Sequence, residues 1–444
     1  MFKRGHIFSR SFSSLKNNIK NMIPEKKLML ENIKSKQGDK IIDNVKVNQV
    51  IGGMRGIKSL LWDISNLDPE KGIKIYNKTI DELRFILPKH DDNFEPSSES
   101  LLWFLMTGNI PNENQVRNLS IEIANRSHIS NNLKNIILDF PKDMHPMTQF
   151  SCAIMHLQKD SIFAKKYKNG IKKNEYWEYI YEDVLDIISK LPEITSLIYN
   201  HTYKYGQFKR YNKDLDYSTN FSNMLGVINK DFYDLMRLYI LIHCDHEGGN
   251  ASAHTCRLVS STLSDPYLSL SSSLNALAGP LHGLANQEVL IWILELDQKL
   301  KNEGKDINDN SISEFTWETL NSGKVIPGYG HAVLRNTDPR YICQREFALK
   351  YLKDYRLFKL VDTIYRVVPD VLKKHGKTKN PYPNVDSHSG ILLKYYGINE
   401  YEFYTVLFGV SRSFGILSQL LWDRALGLPL ERPKSLTMEY LNNK

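Results

Sequence analysis

The chain has 444 residues, of which 41% are hydrophobic, 11% aromatic and 24% charged. That length exceeds what one hydrophobic core usually supports, so two domains are expected, and the composition excludes a mainly disordered or collagen-like chain. Lys and Arg number 58 against 50 Asp and Glu, a formal net charge of +8, which raises a nucleic-acid or acidic-membrane partner until the surplus is located.

Much of the surplus sits in residues 1–24. Lys3, Arg4, Arg10, Lys16 and Lys20 precede the first acid, Glu25, and Ser9, Ser11, Ser13 and Ser14 alternate with Phe2, Ile7, Phe8 and Phe12. A basic, serine-containing, acid-free leader has the composition of a mitochondrial transit peptide, so the mitochondrial matrix is the expected destination; the bland alternative is a basic tail. No unbroken apolar core is present, as a secretory signal would need. These five charges removed, the body carries +3, too little to argue for nucleic acid.

Beyond the leader the pattern is helical. A short hairpin is expected near 40–62, with Gly52-Gly53 as its turn. From Trp177 through Ile180, Val184, Ile187, Ile188 and Leu191 the apolar residues keep a helical period as far as Pro192. In 232–243, Phe232, Leu235, Met236, Tyr239 and Ile240 form the stripe of a core-facing helix, and Val289, Leu290, Ile293 and Leu294 do the same in 286–300. Stretches 86–98, 300–312 and 373–382 read as surface connections. Residues 403–422 are apolar enough to resemble a membrane span. Arg412 at the centre would cost about 2.5–3.5 kcal/mol there, so a buried helix of an all-α fold fits better. Arg412 then needs an anionic ligand or an internal carboxylate. Cys152, Cys244, Cys256 and Cys343 are scattered without any CxxC, as free thiols of a reducing compartment would be.

Three histidine neighbourhoods carry chemistry. In His243-Cys244-Asp245-His246-Glu247-Gly248-Gly249-Asn250, followed by His254, the ligand order of zinc hydrolases is missing. A metal-dependent hydrolase is therefore a distant reading beside a carboxylate-binding or a structural histidine. In Gly279-Pro280-Leu281-His282 the histidine lies in or beside the first turn of the 286–300 helix. There a neutral imidazole could donate to a developing enolate, or simply cap and pack. In Val325-Ile326-Pro327-Gly328-Tyr329-Gly330-His331 the glycines expose backbone, and Arg335 and Arg340 follow, as a pocket for a polyanion would require. Asp386, in the turn-rich Pro383-Asn384-Val385-Asp386-Ser387, is either a cap or a base.

The segments HCDHEGGNASAHT, GPLHGLANQEV, VIPGYGHAVLRNTDPRY, NPYPNVDSHSG and FGVSRSFGILSQLLWDRALGLPLERPKS together resemble citrate synthases of the eukaryotic mitochondrial type, a likeness that runs from about Leu30 to Lys434. The resemblance implies an all-α, two-domain fold. Residues 25–284 and 397–444 would form a large domain and 285–396 a small one, the site lying between them. It implies condensation of acetyl-CoA with oxaloacetate and water to citrate and CoA, without a metal or other cofactor, by a homodimer. His282, His331 and Asp386 take the catalytic positions. His246, Arg340, Arg412 and Arg432 take those of oxaloacetate ligands, with Arg432 supplied across the dimer, so the resemblance tilts Arg412 towards ligand. Arg55, Lys165, Val325, Ile326, Pro327, Gly328 and Gly330 fall where CoA would bind. The related 2-methylcitrate synthases, which use propionyl-CoA, share these residues. The chain departs from the family pattern at 73–78, at 204–213, and at Phe163-Ala164-Lys165-Lys166, where lysine replaces an arginine expected to touch CoA phosphate.

Overall fold

A computed structural model describes residues 14–90, 93–204, 208–331 and 333–443. The first thirteen residues of the expected leader lie outside that range. The chain opens with α1 (Ser14–Gln37) and α2 (Val47–Ile51). A small antiparallel sheet follows, β1 (Ser65–Asp68), β2 (Gly72–Ile75) and β3 (Lys78–Thr79) in that order. Then come α3 (Ile80–Ile86), α4 (Ser98–Thr107), α5 (Glu113–Arg126), α6 (Asn131–Leu138), α7 (Pro146–His156), α8 (Ile162–Lys168), α9 (Tyr176–Tyr203), α10 (Tyr217–Met224), α11 (Lys230–His243), α12 (Ala251–Ser261) and α13 (Pro266–Leu277). The next five, α14 (Ala285–Asn302), α15 (Asp309–Asn321), α16 (Pro339–Tyr351), α17 (Arg356–His375) and α18 (Asp386–Tyr395), pack mainly on one another. The chain closes with α19 (Tyr404–Leu426) and α20 (Met438–Asn442). The fold is all-α, as the periodicities indicate.

Three elements differ from expectation. The leader was expected to end at Pro24, but α1 runs straight through it, and Leu15, Ile19 and Ile23 are buried against the body. Their spacing of four puts them on one face, and Lys16 pairs with Glu182 at 2.7 Å. The packed chain thus begins by Ser14. The hairpin falls at 65–75, whereas Val47–Ile51 is a helical turn ending at Gly52. Finally, α9 does not stop at Pro192. A proline removes the N–H that would bond Ile188 O four residues back, and the Tyr217 hydroxyl donates to that carbonyl instead, at 3.0 Å. With the orphaned acceptor satisfied, the buried helix continues for a further eleven residues to Tyr203.

At the centre lies α19, buried along nearly its whole length and packed against α4, α7, α9, α11, α12 and α13. Among the described residues no helix is long and apolar enough to cross a membrane. The cluster α14–α18 meets the remainder through α11–α16, α3–α16 and α14–α19 contacts. The hairpin, distant from the histidine motifs in sequence, also touches this junction. Gly72 has φ +80°, and a Cβ there would lie 2.4 Å from the Pro339 ring, next to Arg340. Arg335 N–H donates to Pro69 O at 2.8 Å. The hairpin turn at 69–72, just before segment 73–78, therefore leans on the arginine-bearing start of α16.

Candidate active site

The C-terminal end of α11 unwinds into 244–250, and hydrogen bonds fix that irregular stretch. Asp245 Oδ2 accepts from Trp62 Nε1 at 3.0 Å and from Ser65 Oγ at 2.6 Å, and Ser65 Oγ in turn accepts from the Glu247 N–H at 2.9 Å. Glu247 sits at φ +54°, a conformation that costs about 1–3 kcal/mol at a non-glycine residue and persists only when its surroundings over-determine it. Asn250 caps α12 by accepting from Ala253 N–H. What this brace aims inward is His246. Its ring is buried, its Nε2 has no partner among the described residues, and it meets the His331 ring edge to face at 5.6 Å between centroids. Burial and then the charges of Arg340 and Arg412 hold it well below the usual histidine range, hence neutral. His243 is committed elsewhere, with Nδ1 on Tyr239 O at 2.9 Å, and His254 faces Glu431 at 3.6 Å. His243 and His254 are thus engaged with separate partners, while His246 faces the His331 ring.

Arg412 enters the same pocket from α19. Its Nε donates to His243 O at 3.1 Å, one terminal nitrogen donates to Asn250 Oδ1 at 3.2 Å, and the guanidinium lies over the Phe408 ring. Among the described residues no carboxylate pairs with it, so the internal salt bridge is not formed. Burial, against the opposing pull of Asp245, lowers its pKa to about 10.

His282 lies in the turn before α14, outside the helix itself. The helix end that touches it belongs to α12: the free Ser252 N–H donates to His282 Nε2 at 3.2 Å, with Ser252 Oγ at 3.0 Å. A backbone donor on Nε2 leaves the proton of the neutral ring on Nδ1. Burial, with Arg412, lowers the pKa to about 4.

His331 and Asp386 are brought together by two strands of irregular chain. Asn384 N–H donates to Gly328 O at 2.9 Å, Gly330 N–H to Tyr382 O at 3.1 Å, and Ser387 Oγ to Gly328 O. Gly328 has φ +77°, and a Cβ there would sit 2.4 Å from Ser387 Oγ, so nothing larger fits. The N–H groups of Val333 and Leu334 both donate to His331 Nδ1 at 3.0 Å. This leaves Nε2–H as the ring's donor, and burial together with Arg340 keeps the ring neutral. Asp386 is the first residue of α18. Burial raises its carboxyl to about 6, against the opposing pull of Arg340.

Arg340 is buried on the first turn of α16. It is gripped by Asp338, whose two oxygens accept from Nε and a terminal nitrogen at 2.6–3.2 Å. Asp338 was not singled out from the sequence, although Asp338-Pro339 is a helix-start pair, an N-cap followed by proline at the first helical position. Asn250 and Ser252 were missed as well. Of the remaining expected residues, Arg55, Lys165 and Val325 are exposed, Ile326 is buried, and Pro327, Gly328 and Gly330 are half-buried around the loop. Arg432 is exposed and follows Glu431, which is bonded at the far end of α12.

The geometry can therefore bind a dianion between two guanidiniums and His246, offer neutral imidazole donors, and present a basic carboxylate. The family model described as "Citrate synthase, C-terminal domain" matches residues 53–434. The chain is 54% identical to the Saccharomyces cerevisiae protein named citrate synthase, mitochondrial, over 98% of this chain and 90% of that protein. It is also 54% identical to citrate synthase 4, mitochondrial, of Arabidopsis thaliana, over 96% and 90%. Among solved structures, citrate synthase from Pyrobaculum aerophilum superposes with a TM-score of 0.75 at 25% identity, covering 88% of this chain and 92% of that one. The chain belongs to the citrate synthase family.

Proposed function

We propose that the pocket of His246, His282, His331, Arg340, Asp386 and Arg412 is where this citrate synthase condenses acetyl-CoA with oxaloacetate. The observation that carries the reading is Arg412, a buried cation near His246 with which no carboxylate of the described residues forms an ion pair. Oxaloacetate supplies two. With Arg340 and Arg412 on its carboxylates, its ketone oxygen faces His331 Nε2–H. The methyl of a thioester is a weak carbon acid, so its proton leaves only when the base and a donor at the carbonyl act together. Asp386 takes that proton, and His282 Nδ1–H donates to the thioester oxygen. The enol carbon then bonds to the ketone carbon as His331 supplies a proton to the ketone oxygen. Water cleaves the resulting thioester, releasing CoA and citrate. Acetyl-CoA is a substrate here, and the steps use only the chain's own side chains.

The loop 325–330 with Lys165 and Arg55 is assigned to CoA, and the cluster 285–396 to a small domain that closes on 25–284 and 397–444 once oxaloacetate is bound, excluding water. A homodimer is supported by the apolar side chains left exposed on α1 and the following segment, among them Leu28, Met29, Ile41, Ile42 and Ile51, and by Leu430 and Met438 near the C-terminus. The protein is mitochondrial; we place it in the matrix and the leader's cut before Ser14. N-terminal sequencing of the imported form would show a start beyond residue 14 if that placement were wrong.

The deciding assay is release of the CoA thiol from oxaloacetate with acetyl-CoA or propionyl-CoA. Acetyl-CoA is expected to be the better substrate. Preference for propionyl-CoA would make the protein a 2-methylcitrate synthase, and no release with either would reject the condensation.

A further inference from the structure

Helix α12 carries two sets of contacts at opposite ends. At its N-terminus, Asn250 and Ser252 hold Arg412 and His282 of the chain's own pocket. Along its remaining length, three residues spaced by three and four, His254, Arg257 and Ser261, converge on one residue of the C-terminal arm, Glu431. Arg257 Nε donates to Glu431 Oε1, His254 Nε2 lies 3.6 Å from Oε2, and Ser261 Oγ accepts from the Glu431 N–H at 3.1 Å. Arg257 is fixed in turn by Leu61 O and by the buried Asp423 at 3.5 Å. The arm from Leu428 to Thr437 has no helix or strand of its own, and Glu431 is where it is bonded to the body before Arg432. At about 1.5 Å per residue, α12 spans roughly 16 Å, with Ser261, which takes the Glu431 N–H, at the end opposite Asn250.

We infer that Arg257 and Glu431 are positioning residues: through a three-point grip on the arm they aim Arg432 into the oxaloacetate pocket of the partner subunit. This rests on the reading of Arg432 as an oxaloacetate ligand supplied across a dimer. A guanidinium on an untied, irregular segment would lose conformational entropy on meeting the substrate. The grip removes most of that loss in advance. It serves a site on the other subunit, so the damage from loosening it must appear there.

The test uses the full-length dimer. Arg432→Gln should raise the KM for oxaloacetate about 10- to 100-fold, the scale of a misplaced binding group. Glu431→Gln and Arg257→Lys should raise it in the same direction by less, with kcat nearly kept and the thermal midpoint unchanged within a few degrees. Heterodimers locate the effect. In a dimer of Glu431→Gln with Asp386→Asn, the only working base lies in a pocket served by an intact arm, so KM should match wild type. When both substitutions are on one chain and the partner is wild type, the working pocket receives the loosened arm, and KM should rise. Equal KM values in the two heterodimers would overturn the proposal. An Arg432→Gln enzyme with unchanged KM would instead remove the underlying reading, and with it the grip's purpose.

Discussion

Two arginines, Arg237 and Arg412, are buried to the same degree and live in opposite electrostatic worlds. Arg237, on α11, bonds Asp216 at 2.7 Å, Asp234 at 2.9 Å and Thr219 at 2.8 Å. Its pKa is raised by those carboxylates despite burial. The charge balance there is closed, and one carboxyl of the neighbourhood, Glu99, is even pushed up to about 7 by burial and by Asp216. Among the described residues Arg412, on α19, meets a carbonyl, an amide oxygen and a ring but pairs with no carboxylate, and burial lowers its pKa. Arg237, bonded to two carboxylates of the protein, is architecture, whereas the imbalance at Arg412 favours an arriving anion; Arg340, gripped by Asp338 and yet a proposed substrate ligand, stands between them.

The comparison breaks first at the carboxylate that both pocket arginines influence without pairing to it. Asp386→Asn should lower kcat by about 10²–10⁴-fold, the usual contribution of a general base, while oxaloacetate still binds by calorimetry; retained turnover would remove the base assignment. Next, Arg412→Met should cost about 2–5 kcal/mol in kcat/KM for oxaloacetate with no loss of thermal stability, since it deletes an uncompensated buried charge. A variant that unfolds while keeping its kcat/KM would place Arg412 beside Arg237 as architecture. Arg237→Met should do the reverse, losing about 3–5 kcal/mol of unfolding free energy because Asp216 and Asp234 are left buried and unpaired, with kcat per folded molecule unchanged. The mildest effect is on pH. The active form of Asp386 is the ionised one, so log kcat/KM should be flat above about 6 and fall towards unit slope below it. An acid limb at the ordinary aspartate value would show that burial does not tune the base.

The helices with a clean apolar stripe, α11 and α14, were legible because burial of one face writes itself into a period. So was the character of Arg412, because hydrophobic neighbours on both sides made its charge conspicuous. What failed to show was anything set by partners far along the chain. Nothing near Pro192 reveals that Tyr217 will satisfy Ile188 O. Nothing near His282 says that the helix end against it is that of α12. Within the basic leader, the spacing of Leu15, Ile19 and Ile23 also marks a docking face legible in the sequence. Asp338 was within reach, since an aspartate before proline starts a helix, but only the folded geometry shows the same carboxylate gripping Arg340.

The packing of α1 has a consequence in time. Helix α1 docks on α4, α5 and α19, and α19, which α1 and α9 both need as cover, lies far along the chain from α1. Closing contacts of such long sequence separation is entropically slow, so the core around α19 stays open until α19 has been made. A polypeptide whose central core stays open that long is one that can still be threaded through a narrow translocation channel and complete its fold on the far side.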